Sequence, residues 1–252
     1  MIKNLLIRLS EIFIPGMDIS YSRINAYQLC PFKYNLIYRE GWRVSPTPFT
    51  SLGLSIHRAL EEFHSSRSDN IEFLIDSYNK NWVNVGFSSP QETKEFFDKG
   101  LRMLENYFEE QEKSKSEIMF IEKSFRFKLG RNFIIGIIDR IDKNPDGTYE
   151  LIDYKTHIQL WDQEKADSDL QLTIYSIACE KAFGFNPDIL SYYFLAFNTK
   201  VSTSRTKEQI RQAGKLIENI TRKIYKENFE PNTQHCSKCD FRKKCKFSIN
   251  KN

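Results

Sequence analysis

The sequence predicts an α/β fold in which helices cover a central mixed sheet, and three observations carry that expectation. Up to residue 112 the apolar residues recur at helical spacing. From residue 118 the pattern changes to runs rich in Ile, Phe and Tyr, broken by turn chemistry at Gly130 and at Pro145-Asp146-Gly147. A helix, an apolar strand and a long basic helix then follow. The order of helices, three strands, helix and strand suits a layered domain around a mixed sheet.

The elements follow in order. Ser20 or Ser22 can cap a helix running toward Cys30 and beyond, and helical patterns recur at 51–66, 70–84 and 91–112. In the last of these, Phe96, Phe97, Leu101, Leu104 and Phe108 form one apolar stripe. Three consecutive antiparallel strands are expected at 118–129, 132–142 and 148–155. A helix at 168–183 with Asp167 or Ser168 as cap, an apolar strand at 189–197 and a basic helix at 207–226 complete the core. No repeat, low-complexity tract or Gly/Ser linker marks a boundary, so one domain is expected.

With 40% hydrophobic and 28% charged residues in 252, the chain can bury a substantial core. The apolar stretch at 5–14 is interrupted by Arg8, Ser10 and Glu11, which makes it too short and too polar for a membrane span or a signal segment. A cytoplasmic protein with no membrane partner is expected. From position 200 onward Lys and Arg outnumber Asp and Glu by 14 to 5, although the whole chain carries only +4. That asymmetry suits a polyanionic partner, and equally a solvated Lys-rich helix. An odd set of five cysteines without an export signal argues against disulfides and for a metal or cluster.

Two constellations carry chemistry. Asp139 ends an apolar run, and Asp153 lies inside Leu151-Ile152-Asp153-Tyr154-Lys155. A hairpin about residues 145–147 brings the carboxylates side by side, while strand alternation puts Asp153 and Lys155 on one face and Tyr154 on the other. Two carboxylates suit a hard divalent cation, and a neighbouring ammonium stabilises a phosphoryl transition state. His57, among Ile56, Leu60 and Phe63, reads either as an imidazole ligand or as a hydrogen-bonded core histidine. Gln171 and Tyr175 share a helix face. The second constellation is Cys236, Cys239 and Cys245 in a basic tail, soft ligands for zinc or an iron–sulfur cluster. Cys30, followed by Pro31, is the best fourth ligand; His235 competes and would favour zinc, while Cys179 reads as a core residue.

In this order the motifs resemble the RecB-type branch of the PD-(D/E)XK nucleases in its iron–sulfur form. They are the segment 22–31 ending in Cys-Pro, His57, Gly136-Ile137-Ile138-Asp139-Arg140-Ile141-Asp142, the Asp153-Tyr154-Lys155 strand, Gln171 with Tyr175, and the cysteine triplet. The resemblance implies a restriction-endonuclease-like core, with a helical N-terminal half and an iron–sulfur C-terminal clamp. It implies Mg²⁺ or Mn²⁺ held by His57, Asp139, Asp153 and the Tyr154 carbonyl, with Lys155 catalytic and Gln171 and Tyr175 accessory. It further implies one 4Fe–4S cluster on Cys30, Cys236, Cys239 and Cys245. Glu122 matches a family acidic position without an assigned role. Residues 20–252 are expected to form the nuclease domain behind an N-terminal extension over 1–19.

The function so implied is metal-dependent DNA cleavage, as an exonuclease on single-stranded or frayed ends in repair, recombination or CRISPR adaptation. Tyr192, Tyr193 and Phe194 are expected to guide the strand. No Walker A motif occurs in the chain, so no helicase of its own is expected, and the resemblance implies a helicase or integrase partner. The alternatives are a non-cleaving module of the same fold that binds DNA or a partner, and a zinc protein with a structural tail.

Overall fold

A computed structural model describes residues 16–249. The apolar stretch at 5–14 and most of the expected N-terminal extension therefore lie outside the described residues. The elements are β1 (Asp18–Ile19), α1 (Tyr21–Leu29), α2 (Pro31–Tyr38), α3 (Pro48–Ser66), α4 (Ile71–Lys80), α5 (Pro90–Lys113), β2 (Glu117–Leu129), β3 (Asn132–Lys143), β4 (Tyr149–Lys155), α6 (Gln163–Ser168), α7 (Leu170–Ala178), β5 (Ile189–Phe194), β6 (Thr199–Thr203) and α8 (Lys207–Tyr225).

The strands form one mixed sheet in the order β1-β3-β4-β5-β6, with β2 also on β3. β3 runs antiparallel to β2 and β4, and β5 lies parallel to β4 after a crossover through α6 and α7. Two apolar layers flank it. On one face Ile138, Leu151, Tyr192 and Phe194 meet Ile24, Leu172 and Ile217 of α1, α7 and α8. On the other, Ile152, Tyr154 and Tyr193 meet Ile56, Leu60, Leu74 and Leu104 of α3, α4 and α5. A strand covered on both faces reads as a continuous apolar run, which is why 189–194 shows no alternation. The same burial corrects one expectation: Tyr192, Tyr193 and Phe194 are at most 7% exposed and cannot line a strand path.

Local chemistry explains where the elements depart from the sequence pattern. The first helix does not run through Cys30, because Pro31 excludes the helical region for the residue before it; Cys30 is extended, at φ −162° and ψ 113°, and α2 begins at the proline. The helix expected at 168–183 is capped by Asp169, whose side chain accepts from the Gln171 amide, and it widens into a π-turn over Cys179–Phe183. The strand expected to reach residue 197 stops at Phe194. Its continuation folds back as β6, a polar edge strand whose Thr, Lys and Ser residues carry no apolar signal.

Candidate active site

The hairpin register puts the acidic residues together. The last β3–β4 pair is Arg140 with Ile152, so the next step sets Asp139 opposite Asp153. The Tyr154 amide donates to Asp139 Oδ2 at 2.8 Å. On the other side of β3, the pairs Ile121–Arg140 and Lys123–Ile138 bracket Glu122, which stands opposite Asp139 outside the regular ladder. Glu122 has φ +42°, a left-handed conformation that costs a non-glycine residue about 1 kcal/mol or more. The burial phase of β2 changes here, from even positions to Phe125 and Phe127. α3 brings His57 over the same spot, with Nδ1 3.6 Å from Asp139 Oδ2 and 3.8 Å from Glu122 Oε1. Ligand atoms of His57, Glu122 and Asp139 all lie within 4.8 Å of one another.

The electrostatics are those of a site short of positive charge. Burial and then the facing Asp153 carboxylate hold Asp139 up at about 7. Burial pulls His57 down, but Asp139, Glu122 and Asp153 together outweigh it and leave the imidazole at about 9. A divalent cation would relieve this repulsion using oxygen and imidazole donors. Asp153 stands just outside the three-residue group. It is 2% exposed, and its Oδ2 lies 2.6 Å from Lys155 Nζ, yet off the line of a hydrogen bond, so this buried oxygen accepts none.

The first turns of α7 supply the clamp. Gln171 Oε1 accepts from Lys155 Nζ at 3.0 Å, and its Nε2 donates to Asp153 Oδ1 at 2.8 Å and to the Tyr175 hydroxyl at 3.0 Å. The neutral amide thereby fixes the ammonium without cancelling its charge. Asp169 sets the start of that helix, accepting from Gln171 N at 2.7 Å and from the Tyr192 hydroxyl. Tyr175 is buttressed edge-on by Phe125, 5.8 Å between centroids, and Phe125 fits because its cross-strand partner is Gly136: a Cβ there would lie 2.6 Å from the ring.

Behind the site a buried polar network holds Tyr154. Arg140, bound twice to Asp142 at 2.5 and 2.6 Å, also donates to the Tyr107 hydroxyl at 2.7 Å. Tyr107 meets the Tyr154 hydroxyl at 2.8 Å and His64 Nε2 at 2.7 Å. Burial, aided by Arg140, pulls His64 down to about 3, so it is neutral. Each hydroxyl proton then finds an acceptor only if Tyr154 donates to Tyr107 and Tyr107 to His64. Sequence reasoning missed this network, as it missed Asp169 and a role for Glu122. The step of five from Phe120 to Phe125 was the available sign of an irregularity at Glu122.

The second constellation also converges. Cys30, Cys236, Cys239 and Cys245 line one cavity with Lys33, Leu36, Asn232 and His235, and the Asn232 amide donates to Cys30 Sγ at 3.2 Å. Among the described residues no three of these sulfurs lie within 4.8 Å of one another. A zinc tetrahedron with Zn–S bonds of about 2.3 Å would hold them at roughly 3.8 Å. His235 Nε2 is buried there without a hydrogen-bond partner. Cys179 is apart, fully buried under the sheet.

The family model of the PD-(D/E)XK nuclease superfamily matches residues 18–246. A subunit of the ATP-dependent helicase/deoxyribonuclease of Clostridium perfringens (strain SM101 / Type A) is 28% identical over 195 residues, covering 63% of this chain and 17% of that protein. Its counterpart in strain ATCC 13124 is 27% identical over the same lengths. The chain thus spans less than a fifth of these relatives. A solved structure, that of SSO0001, aligns over 87% of this chain and 96% of its own at 15% identity, with a TM-score of 0.38. Among the described residues no helix is long and apolar enough to cross a membrane.

Proposed function

Because the chain belongs to the PD-(D/E)XK nuclease superfamily, we propose that it hydrolyses DNA phosphodiesters with Mg²⁺ or Mn²⁺, as an exonuclease on single-stranded or frayed ends. The observation that carries this reading is the convergence of His57, Glu122 and Asp139 with the Asp153–Lys155 pair. His57, Asp139, Asp153 and the Tyr154 carbonyl would hold the cation, with Glu122 added to that set. The bound cation supplies Lewis acidity toward the phosphate and the attacking water. Lys155, steadied by Gln171, faces the charge that develops on the phosphoryl oxygens. Tyr175 carries Gln171, and burial keeps its hydroxyl protonated.

The four cavity cysteines are assigned a 4Fe–4S cluster. Support comes from their shared cavity and the N–H···S bond. Its role is structural. Iron and sulfide analysis of anaerobically purified protein should give about four irons per chain, and one zinc without iron would overturn the assignment. The names of the Clostridium relatives add a helicase partner to the proposal.

The decisive test is cleavage of end-labelled single strands with Mn²⁺. Wild type should degrade them, and Asp153→Asn should stop cleavage while sparing DNA binding. Equal cleavage by that variant would sink the site assignment.

A further inference from the structure

The segment that leaves the Lys155 strand carries apolar side chains that the fold does not use. Residues 156–162 have no regular structure; Ile158 is 67% exposed and Leu160 44%. Their neighbours are held firmly. The His157 and Trp161 rings stack at 5.5 Å with 28° between planes, and Trp161 meets Tyr192 and Phe194 edge-on at 4.8 and 5.8 Å. The Lys155 ammonium is 5.9 Å from the Trp161 centroid, and Lys165 lies over that ring at 3.9 Å. Asp162, in the same segment, turns its carboxylate to the Lys165 amide as a helix cap. An indole anchored 5.9 Å from the site's ammonium therefore closes a segment that carries two exposed aliphatic side chains.

Across from this segment the first turns of α3 close in. A Cβ on Gly53 would lie 3.1 Å from Thr156 Oγ1, and the next residue, Leu54, is 45% exposed. Arg58, a turn further along, is exposed as well. Single exposed aliphatics need no explanation. Three on two segments that meet at Gly53 and Thr156, with Lys155 and Lys165 on the Trp161 ring of one and Arg58 on the other, match a ligand that alternates anionic and flat apolar groups. Nucleic acid is that ligand, and its base faces are open only when unpaired and unstacked.

We propose that Ile158, Leu160 and Leu54 seat the unpaired base next to the scissile phosphate, which makes the site selective for single strands over paired ends. The inference rests on the phosphodiester reading above. It is tested by fluorescence anisotropy and by cleavage with two single-stranded oligonucleotides of equal length and charge, one with normal bases and one with a tract of tetrahydrofuran abasic residues. Wild type should bind the base-bearing strand more tightly. An Ile158→Ser, Leu160→Ser double variant with unchanged melting temperature should lose about tenfold on that strand, the scale of one lost base contact, and nothing on the abasic one. Ile158→Trp should bind the base-bearing strand more tightly than wild type. Unchanged affinity in the double variant, equal loss on both strands, or wild type binding neither strand overturns the platform. Normal discrimination in binding without any cleavage by wild type overturns the nuclease reading and leaves the platform standing.

Discussion

Glu122 shows what one residue contributes. Its backbone is left-handed, and its carboxylate repels that of Asp139 while it attracts the His57 imidazole. Glu122→Gly removes the strain and the repulsion but also the attraction to His57, so these oppose one another and the melting temperature should stay within a few degrees of wild type. Cation affinity should fall at the same time. Calorimetry with Mn²⁺ on that variant checks the pair of outcomes; unchanged Mn²⁺ affinity would remove Glu122 from the ligand set. At Gly136 the effect is steric. Gly136→Ala pushes a Cβ into the Phe125 ring, and should cost about 1–3 kcal/mol in denaturant unfolding while loosening the support of Tyr175.

At the scale of elements, the hydrogen-bond chain from His64 through Tyr107 to Tyr154 and Arg140 ties α3 and α5 to the two strands that bear the carboxylates. Tyr107→Phe leaves Arg140 and Tyr154 short of an acceptor and His64 short of a donor. Each buried group so orphaned costs about 1–3 kcal/mol, and equilibrium unfolding should register at least one such loss. The chain also sets a pH response. His64 sits at about 3 in the folded protein against 6.5 in the open chain, so as pH falls below 6.5 the unfolded chain takes up the proton first. Its contribution is complete above pH 6.5 and is lost progressively down to about 3. The slope of melting temperature against pH between 6 and 4 should therefore be shallower in His64→Phe; an unchanged slope would mean the ring is not held neutral.

Over the whole molecule, the first two helices meet the segment that follows α8. Asn232 bonds to Cys30 Sγ across 202 positions, Tyr27 donates to the Asn228 carbonyl at 2.6 Å, and Lys33 pairs with Asp240 at 2.6 Å. Leu36 packs with Cys239 and Phe241 in a small core of their own. Closing so long a loop costs several kcal/mol of chain entropy, roughly (3/2)RT ln n for about two hundred residues, which these contacts offset in the folded state. Cys239→Ser should lower the melting temperature while α3, α5 and the carboxylate hairpin keep their arrangement, since none of them touches the cysteine cavity. Residual Mn²⁺-dependent cleavage by that variant below its melting temperature is the expected readout.

How much was legible follows the range of each interaction. Strand limits at β2 to β4, the pairing of Asp139 with Asp153, and the common face of Gln171 and Tyr175 follow from periods of two and 3.6 and from one hairpin turn. These are local rules, and the sequence states them. Pro31 likewise announces the break at Cys30, although the periodic pattern runs across it. The polar β6, the capping and anchoring by Asp169, and the network around Tyr107 depend on partners far away in the chain, which composition and spacing do not encode. Tyr192 and Phe194 look like surface aromatics in isolation and are core residues because helices cover both faces of their strand. The sequence by itself determined the layered α/β plan and the pairing of Asp139 with Asp153; only the tertiary structure brought Glu122 to them, because its left-handed backbone shifts the alternation of β2 and α3 sets His57 beside it.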